Sequence, residues 1–180
     1  MTEPRWLSPD EQCTWRAFLQ LSLRLNEQLD RELQRQAALP LAYYQILAML
    51  SEAPDRTLRM GELAARTWSS RSRLSHAVDR LEQNGWVRRV SCPSDRRGAL
   101  AVLTDAGFAV LAAAAPLHVD GVRRHLFDAL TPERVAQLRA IGEAVVARLS
   151  AAQAAVEPPE EAAAAAGGPE PVGRRRQGAG

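Results

Sequence analysis

The sequence contains no lysine, only two cysteines and no long uninterrupted apolar run. All 23 basic residues are arginine, which is typical of a GC-rich genome, so we draw no functional conclusion from that choice. Cys13 and Cys92 lie far apart, with no CxxC motif and no histidine at ligand spacing. This usage argues against a structural zinc site and favours reduced thiols, so we expect neither a metal nor a cofactor.

No segment approaches the ~20 apolar residues that span a bilayer. The first residues include Glu3, Pro4 and Arg5, without the apolar core of an export signal. We therefore expect a cytoplasmic protein that does not contact a membrane. A chain of 180 residues allows one domain of about 150 residues and a tail.

Positive charge is concentrated in one segment. Residues 56–97 carry ten arginines and four acidic residues, a net charge of +6, although the whole chain has a net charge of only +2. Residues 1–55 have a net charge of −3. A basic segment inside an acidic-to-neutral frame indicates a polyanionic partner for that segment.

The order of elements within residues 60–103 is informative. A short helix over 60–66 and a turn precede a second helix over 69–82, for which Ser69 is the expected N-cap and Asn84-Gly85 the end. Strand character follows over 86–90, then a charged, turn-rich stretch over 91–98 and a return strand over 99–103. This order predicts a winged helix-turn-helix with recognition helix 69–84 and wing 86–103.

The recognition helix has one apolar face, formed by Leu74, Ala77, Val78 and Leu81. Its opposite face is polar, with short hydroxyl side chains that permit a close approach to base edges and arginines that read guanine. We expect Arg88 and Arg89 to clamp the phosphate backbone, and Arg96 and Arg97 to enter the minor groove. The major-groove set is predicted to be Ser70, Arg71, Ser72, Ser75 and His76, with Arg73 on base or phosphate.

Amphipathic helices surround this segment. They are predicted over 10–38, from Ala42 to a stop near Ala53-Pro54, from Thr104-Asp105 with a kink at Pro116, and from Thr131-Pro132. The apolar stripe of the first helix is wide enough to pack on its own domain and on another subunit. We therefore predict a mainly α fold with a small β-hairpin wing and a helical dimerisation platform. The expected division is an N-terminal arm (1–9), a dimerisation helix (10–38), a DNA-binding lobe (39–103), C-terminal dimerisation helices (104–150) and a disordered tail (151–180).

Three local patterns are informative in combination: the run from Ser70 to Glu82 followed by Gly-Trp-Val-Arg-Arg, the wing pattern Asp95-Arg96-Arg97-Gly98, and Leu-Thr-Asp-Ala-Gly over 103–107. In these patterns the chain resembles the MarR family of bacterial transcriptional regulators. The resemblance implies a homodimer that binds pseudo-palindromic double-stranded DNA, usually as a repressor, and that a small phenolic or aromatic ligand releases. It also implies that Asp95 orients Arg97 through an ion pair.

The sequence leaves the input signal open. Tyr43, Tyr44, Trp15 and Trp68 are expected in the core rather than in a ligand site. The candidate ligand residues are Trp15, Tyr44, His118 and Arg123, of which His118 and Arg123 lie near the Pro116 kink, where a pocket could form.

Two further classes of function remain as alternatives. One is a regulator that senses oxidation through Cys13 or Cys92, and the other is a winged helix that contacts proteins. An enzyme is disfavoured because Ser72 or Ser75 beside His76 lacks a third orienting residue and an oxyanion loop.

Overall fold

The computed structural model describes residues 3–92 and 95–154, and the side chains of residues 95–97, 153 and 154 are outside that description. Within this part of the chain the protein is mainly helical with one small antiparallel sheet. The helices are α1 (Pro9–Ala37), α2 (Leu41–Ser51), α3 (Met60–Arg66), α4 (Arg71–Gln83), α5 (Asp105–His125) and α6 (Pro132–Ala154). The strands are β1 (Thr57–Arg59), β2 (Val87–Cys92) and β3 (Asp95–Leu103). This confirms the predicted fold class.

The two halves of helix α1 differ in burial. It begins with a capping box, in which the Glu11 amide donates to Ser8 Oγ and the Ser8 amide donates to the Glu11 carboxylate at 2.7 Å. Towards its C-terminal end Leu29 and Leu33 are buried, whereas Trp15 and Phe18 are more than half exposed. The sequence predicted that the apolar stripe is divided around the circumference, but the structure divides it between the two halves of the helix.

The buried end of α1 packs against α5 through a polar cluster around Glu32. Its carboxylate accepts hydrogen bonds from Gln28 Nε2 at 2.6 Å, His125 Nε2 at 2.8 Å and an Arg124 guanidinium nitrogen at 3.1 Å. These donors, His125 first, lower the pKa of Glu32 to about 2. The helices approach closely at Gly121, where an added Cβ would lie 3.0 Å from Leu29 Cδ2.

The sheet has three strands in the order β1-β3-β2, all antiparallel. Strand β1 was not predicted from the sequence, because three residues are too few to show an alternating pattern. The prediction of a turn over 91–98 was wrong, since β2 continues to Cys92 and β3 already begins at Asp95. A run of charged residues in a sequence is typical of a loop, but antiparallel strands also place charged residues on a face exposed to solvent.

The recognition helix and α5 begin and end largely where the sequence indicates. Helix α4 ends at Gln83, with Asn84 as its C-cap, and is followed by Gly85, whose φ of +72° suits a residue without a Cβ. Thr104 caps α5 through a hydrogen bond from the Gly107 amide to its hydroxyl. Gly107 is required there, since an added Cβ would lie 2.1 Å from the Trp86 carbonyl oxygen. Pro116 lies inside α5 without ending the helix.

Contacts divide the chain into two compact units, one up to Ala129 and the other from Leu130 onwards. In the second unit α6 begins as predicted, with Thr131 accepting from the Val135 amide. It exposes a stripe of large apolar side chains, formed by Leu138, Ile141, Val145 and Leu149. None of the described helices is long and apolar enough to cross a membrane.

Candidate nucleic-acid interface

Buried leucines and valines fix the position of α4. Leu74, Val78 and Leu81 are at most 1% exposed and lie in the same core as Leu63 of α3 and Val87 of β2. The apolar face predicted from the sequence is therefore the inward face. The opposite face of the helix is left to solvent.

The N-terminus of α4 is exposed. Ser70, and not Ser69 as predicted, is the N-cap, because its Oγ accepts from the Arg73 amide at 3.3 Å. The Ser69 hydroxyl instead donates to the Thr67 carbonyl at 3.3 Å. One residue separates the two serines, and the sequence alone does not choose between them. Amides at such an end attract phosphate oxygens.

The structure places most of the predicted major-groove residues together on this outward face. The exposed members are Ser70, Arg71, Ser72, Arg73 and His76. Ser75 is only half-exposed, because its hydroxyl lies 3.3 Å from the Arg89 guanidinium, which donates to it. The predicted set therefore shares one surface, with Ser75 at its margin next to the wing.

Arg89 joins the base of the wing to the recognition helix. Its guanidinium donates to Asp79, to Glu82 at 2.7 Å and to the Ser75 carbonyl at 2.8 Å, and its own amide donates to Glu82 at 2.6 Å. The side chain is 25% exposed. Arg88, one residue earlier on β2, is exposed. Neighbouring arginines that look alike in the sequence thus differ in their surroundings.

Asp79 and Glu82 were not predicted from the sequence as partners of Arg89. Their spacing of three residues on α4 places them on one side of the helix, where both reach β2. That spacing, followed by a basic strand, was the available signal. The guanidinium of Arg89 is satisfied by this network, so its predicted phosphate contact competes with internal hydrogen bonds.

Three predicted DNA contacts lie outside the described side chains. Asp95, Arg96 and Arg97 form the first part of β3, where the backbone of Asp95 pairs with Cys92. Their expected roles in the minor groove, and the ion pair between Asp95 and Arg97, stay predictions.

Trp68 contradicts the expectation that it lies in the core. It occupies the turn between α3 and α4, its side chain is 88% exposed, and its φ is +47°. Trp15 is also exposed and stacks on Phe18 with ring centroids 5.9 Å apart. Tyr44 is buried as expected, and Tyr43 packs against the core. The sequence shows that a residue is aromatic but not whether a turn directs it outwards.

Comparison with known proteins agrees with this geometry. A model of the MarR family matches residues 39–98. Sco3205, a MarR family transcriptional regulator from Streptomyces coelicolor whose structure was solved in complex with DNA, is 53% identical over 81% of this chain and 91% of its own, with a TM-score of 0.77.

The chain belongs to the MarR family.

Two more MarR relatives support the assignment. AbsC, also from Streptomyces coelicolor, is 42% identical over 82% of this chain and 99% of its own, with a TM-score of 0.76. The HTH-type regulator PecS of Dickeya dadantii (strain 3937) is 39% identical over 70 residues, which span 39% of this chain and 42% of PecS. The match thus spans less than half of PecS. As a MarR protein, this chain is a DNA-binding transcriptional regulator and not an enzyme.

The candidate ligand residues of this MarR protein are only partly brought together. Tyr44 and His118 lie in contact, with ring centroids 4.4 Å apart. Burial lowers the pKa of His118, and its Nδ1 is buried without a hydrogen-bond partner within the described part of the chain. Trp15 lies near the N-terminal end of α1 and Arg123 is exposed on α5.

An open cavity of about 400 Å³ lies on α1 beside His125, and none of the four predicted ligand residues lines it. Cys13 is exposed and Cys92 is buried, which leaves the oxidation-sensing alternative as a prediction. Among the described residues, no group of three or more acidic, histidine or cysteine side chains is placed to hold a metal ion.

Proposed function

We propose that this MarR protein is a homodimeric repressor that binds a pseudo-palindromic operator through α4 and the wing. The observation that carries the proposal is the exposed polar face of α4, on a helix held by Leu74, Val78 and Leu81 from behind and by Arg89 from the side. A rigid helix keeps its base contacts in register, since a specific pair discriminates by ~1–3 kcal/mol only when its geometry is held. The proposed contact set is Ser70, Arg71, Ser72, Arg73, Ser75, His76, Arg88, Asp95, Arg96 and Arg97, whereas Arg89 is proposed to act by holding α4 in position.

Exposed apolar side chains support the homodimer. Trp15 and Phe18 on α1, and Ile141 and Leu149 on α6, are each more than half exposed. Clusters of large exposed apolar residues mark interaction surfaces. A twofold dimer would bury the same surface from both copies and would place two recognition helices on one face of a duplex.

A small aromatic or phenolic ligand is the proposed signal. Tyr44 and His118 offer two rings in contact, with an interplanar angle of 40°, and an imidazole nitrogen whose hydrogen-bonding capacity is unused in the described structure. Two half-sites one turn apart require recognition helices spaced by ~34–36 Å. A ligand that favours another spacing by ~1–3 kcal/mol weakens DNA binding about 5- to 150-fold.

The test is fluorescence anisotropy with the DNA upstream of the protein's own gene and with a scrambled duplex, across a salt series. Arg71→Ala at the N-terminus of α4 and Arg97→Ala in the wing are compared with Arg80→Ala. Arg80 is a matched control, because it is exposed on the same helix but lies near the C-terminus and donates to Gln83. A promoter-reporter assay then distinguishes repression from activation.

We expect salt-dependent binding that favours the upstream DNA and that weakens in Arg71→Ala and Arg97→Ala but not in Arg80→Ala. If binding to both duplexes is equal and weak, selection from random DNA identifies the operator. Failure to bind any duplex at low salt overturns the proposal and favours the protein-interaction alternative. An affinity for DNA that no aromatic acid changes overturns ligand control.

A further inference from the structure

We infer that Trp68 binds the sugar–phosphate backbone beside the groove that α4 enters. Its indole would pack on a deoxyribose and donate its Nε1–H to a phosphate oxygen. The inference rests on the proposed function, because it assigns a further residue to the same DNA-binding surface. The first supporting observation is that the large aromatic side chain of Trp68 is 88% exposed in the folded protein.

Trp68 has a fixed main chain. Its amide donates to the Ala65 carbonyl at 3.2 Å, and the amides on either side, of Thr67 and Ser69, donate to Leu63 and Ala64 at 3.0 Å. The Thr67 hydroxyl adds a hydrogen bond to the Leu63 carbonyl at 2.8 Å. The turn is therefore a hydrogen-bonded continuation of α3, and the exposed ring stands on a well-held base.

The backbone conformation of Trp68 is unfavourable for its residue type. A φ of +47° is the left-handed region, which glycine enters freely and a residue with a Cβ enters at a cost. Glycine would suit the turn itself better than tryptophan. Neither core packing nor backbone geometry therefore explains why a tryptophan occupies this position. The remaining explanation is a contact with another molecule.

The position of Trp68 identifies the contacted part of DNA. It stands two residues before Ser70, the N-cap of α4, and three before the exposed Arg71. In a helix-turn-helix the first helix crosses the backbone and the N-terminus of the second reaches the bases, so the turn between them faces a backbone strand. An indole has an apolar ring for the sugar and an N–H donor for a phosphate, and it has no acceptor for base edges.

The inference predicts how binding depends on sequence and salt. A backbone contact carries no sequence information, so loss of Trp68 should weaken operator and scrambled duplexes by the same factor. Because indole is uncharged, the salt dependence should keep its slope. Loss of a hydrogen bond to a charged phosphate corresponds to a fall in affinity of about tenfold or more.

The experiment measures anisotropy on both duplexes for the wild-type protein, Trp68→Gly and Trp68→Phe, together with thermal melts. Trp68→Gly should weaken both duplexes without lowering Tm, since glycine relieves the left-handed backbone. Trp68→Phe, which keeps a ring but lacks the N–H, should lie between. Ala38→Gly is the matched control: Ala38 has a φ of +50°, is exposed, and lies between α1 and α2 outside the turn. It should leave DNA affinity unchanged.

The outcomes separate this inference from the proposed function. If Arg71→Ala weakens binding while Trp68→Gly does not, the inference is overturned and the proposed function stands. Selective loss of operator binding also overturns it, because that result indicates a base contact. A Trp68→Gly protein that becomes monomeric overturns it too, in favour of a subunit contact. No binding by the wild-type protein overturns both.

Discussion

The DNA-binding lobe and helix α6 differ in the burial of their large apolar residues. In the lobe Leu63, Val78 and Leu81 are completely buried within one chain. On α6, Ile141 and Leu149 are about 60% exposed. The core around α4, to which α1 and α5 also contribute, is therefore complete within one chain, whereas α6 presents a surface that another molecule can cover.

This difference bears on the proposed homodimer. The core that includes Leu74, Val78 and Leu81 holds α4 in place within one chain. In the proposed dimer, the exposed apolar face of α6 would instead contact the second subunit.

The largest effect is expected from acidic substitutions in the apolar stripe of α6. Ile141→Glu combined with Leu149→Glu removes two apolar side chains per subunit and four per dimer, about 4–7 kcal/mol of association free energy for side chains that are about 60% exposed before association. We expect sedimentation equilibrium to show a monomer whose lobe remains folded. Operator affinity should collapse because one lobe contacts only one half-site.

The matched control is Ala140→Glu with Ala147→Glu, which adds the same charges to the opposite side of the same helix at 100° per residue. It should remain dimeric. A monomer from the control, or a dimer from the stripe variant, contradicts the proposed use of this face.

Within the lobe, the two neighbouring arginines of β2 separate architecture from DNA contact. Arg89→Ala leaves Asp79 and Glu82 without their shared partner, so we expect a loss of about 1–3 kcal/mol in the free energy of unfolding. Arg88→Ala should change that free energy by less than ~0.5 kcal/mol. Urea denaturation measures both.

DNA titrations at several salt concentrations complete this comparison. Arg88→Ala should reduce the slope of log affinity against log salt by about one, as expected for one phosphate contact. Arg89→Ala should weaken binding through the position of α4, with the slope kept. Equal slopes for wild type and Arg88→Ala would remove Arg88 from the interface.

The lobe was more predictable from the sequence than the surroundings of individual side chains. Apolar spacing fixed the inward face of α4, and Asn84-Gly85 and Thr104 marked where helices end and begin. These are local signals, readable within one or two helical turns. The β1 strand was missed because its pairing with β3 depends on residues more than 40 positions away.

Details of the site that depend on tertiary contacts could not be predicted from the sequence. Arg88 and Arg89 lie on opposite sides of β2, and only the side with Arg89 faces α4. Trp68 is exposed because the turn that contains it directs the side chain away from the core. The ligand candidates show the same limit. Tyr44 and His118 meet because α2 packs against α5, which composition does not indicate.

The smallest expected effect concerns the buried C-terminal end of α1. Glu32 has a folded-state pKa of about 2 against an ordinary value of 4.5, so the folded protein holds this proton less tightly than the unfolded chain. Its contribution to stability is therefore complete above about pH 4.5 and is lost as the pH falls towards 2. The effect is modest because Arg124 is 46% exposed and solvent screens the pair.

Glu32→Gln removes this titration. The free energy of unfolding of this variant should be below that of the wild type at pH 7, and the difference between the two should narrow below pH 4.5. Urea denaturation at each pH measures both free energies. Glu27→Gln is the matched control, because Glu27 lies on the same helix and pairs with Arg31 at the surface. Parallel pH profiles for wild type and Glu32→Gln would contradict the assignment and would leave the α1–α5 contact to apolar packing around Leu29 and Gly121.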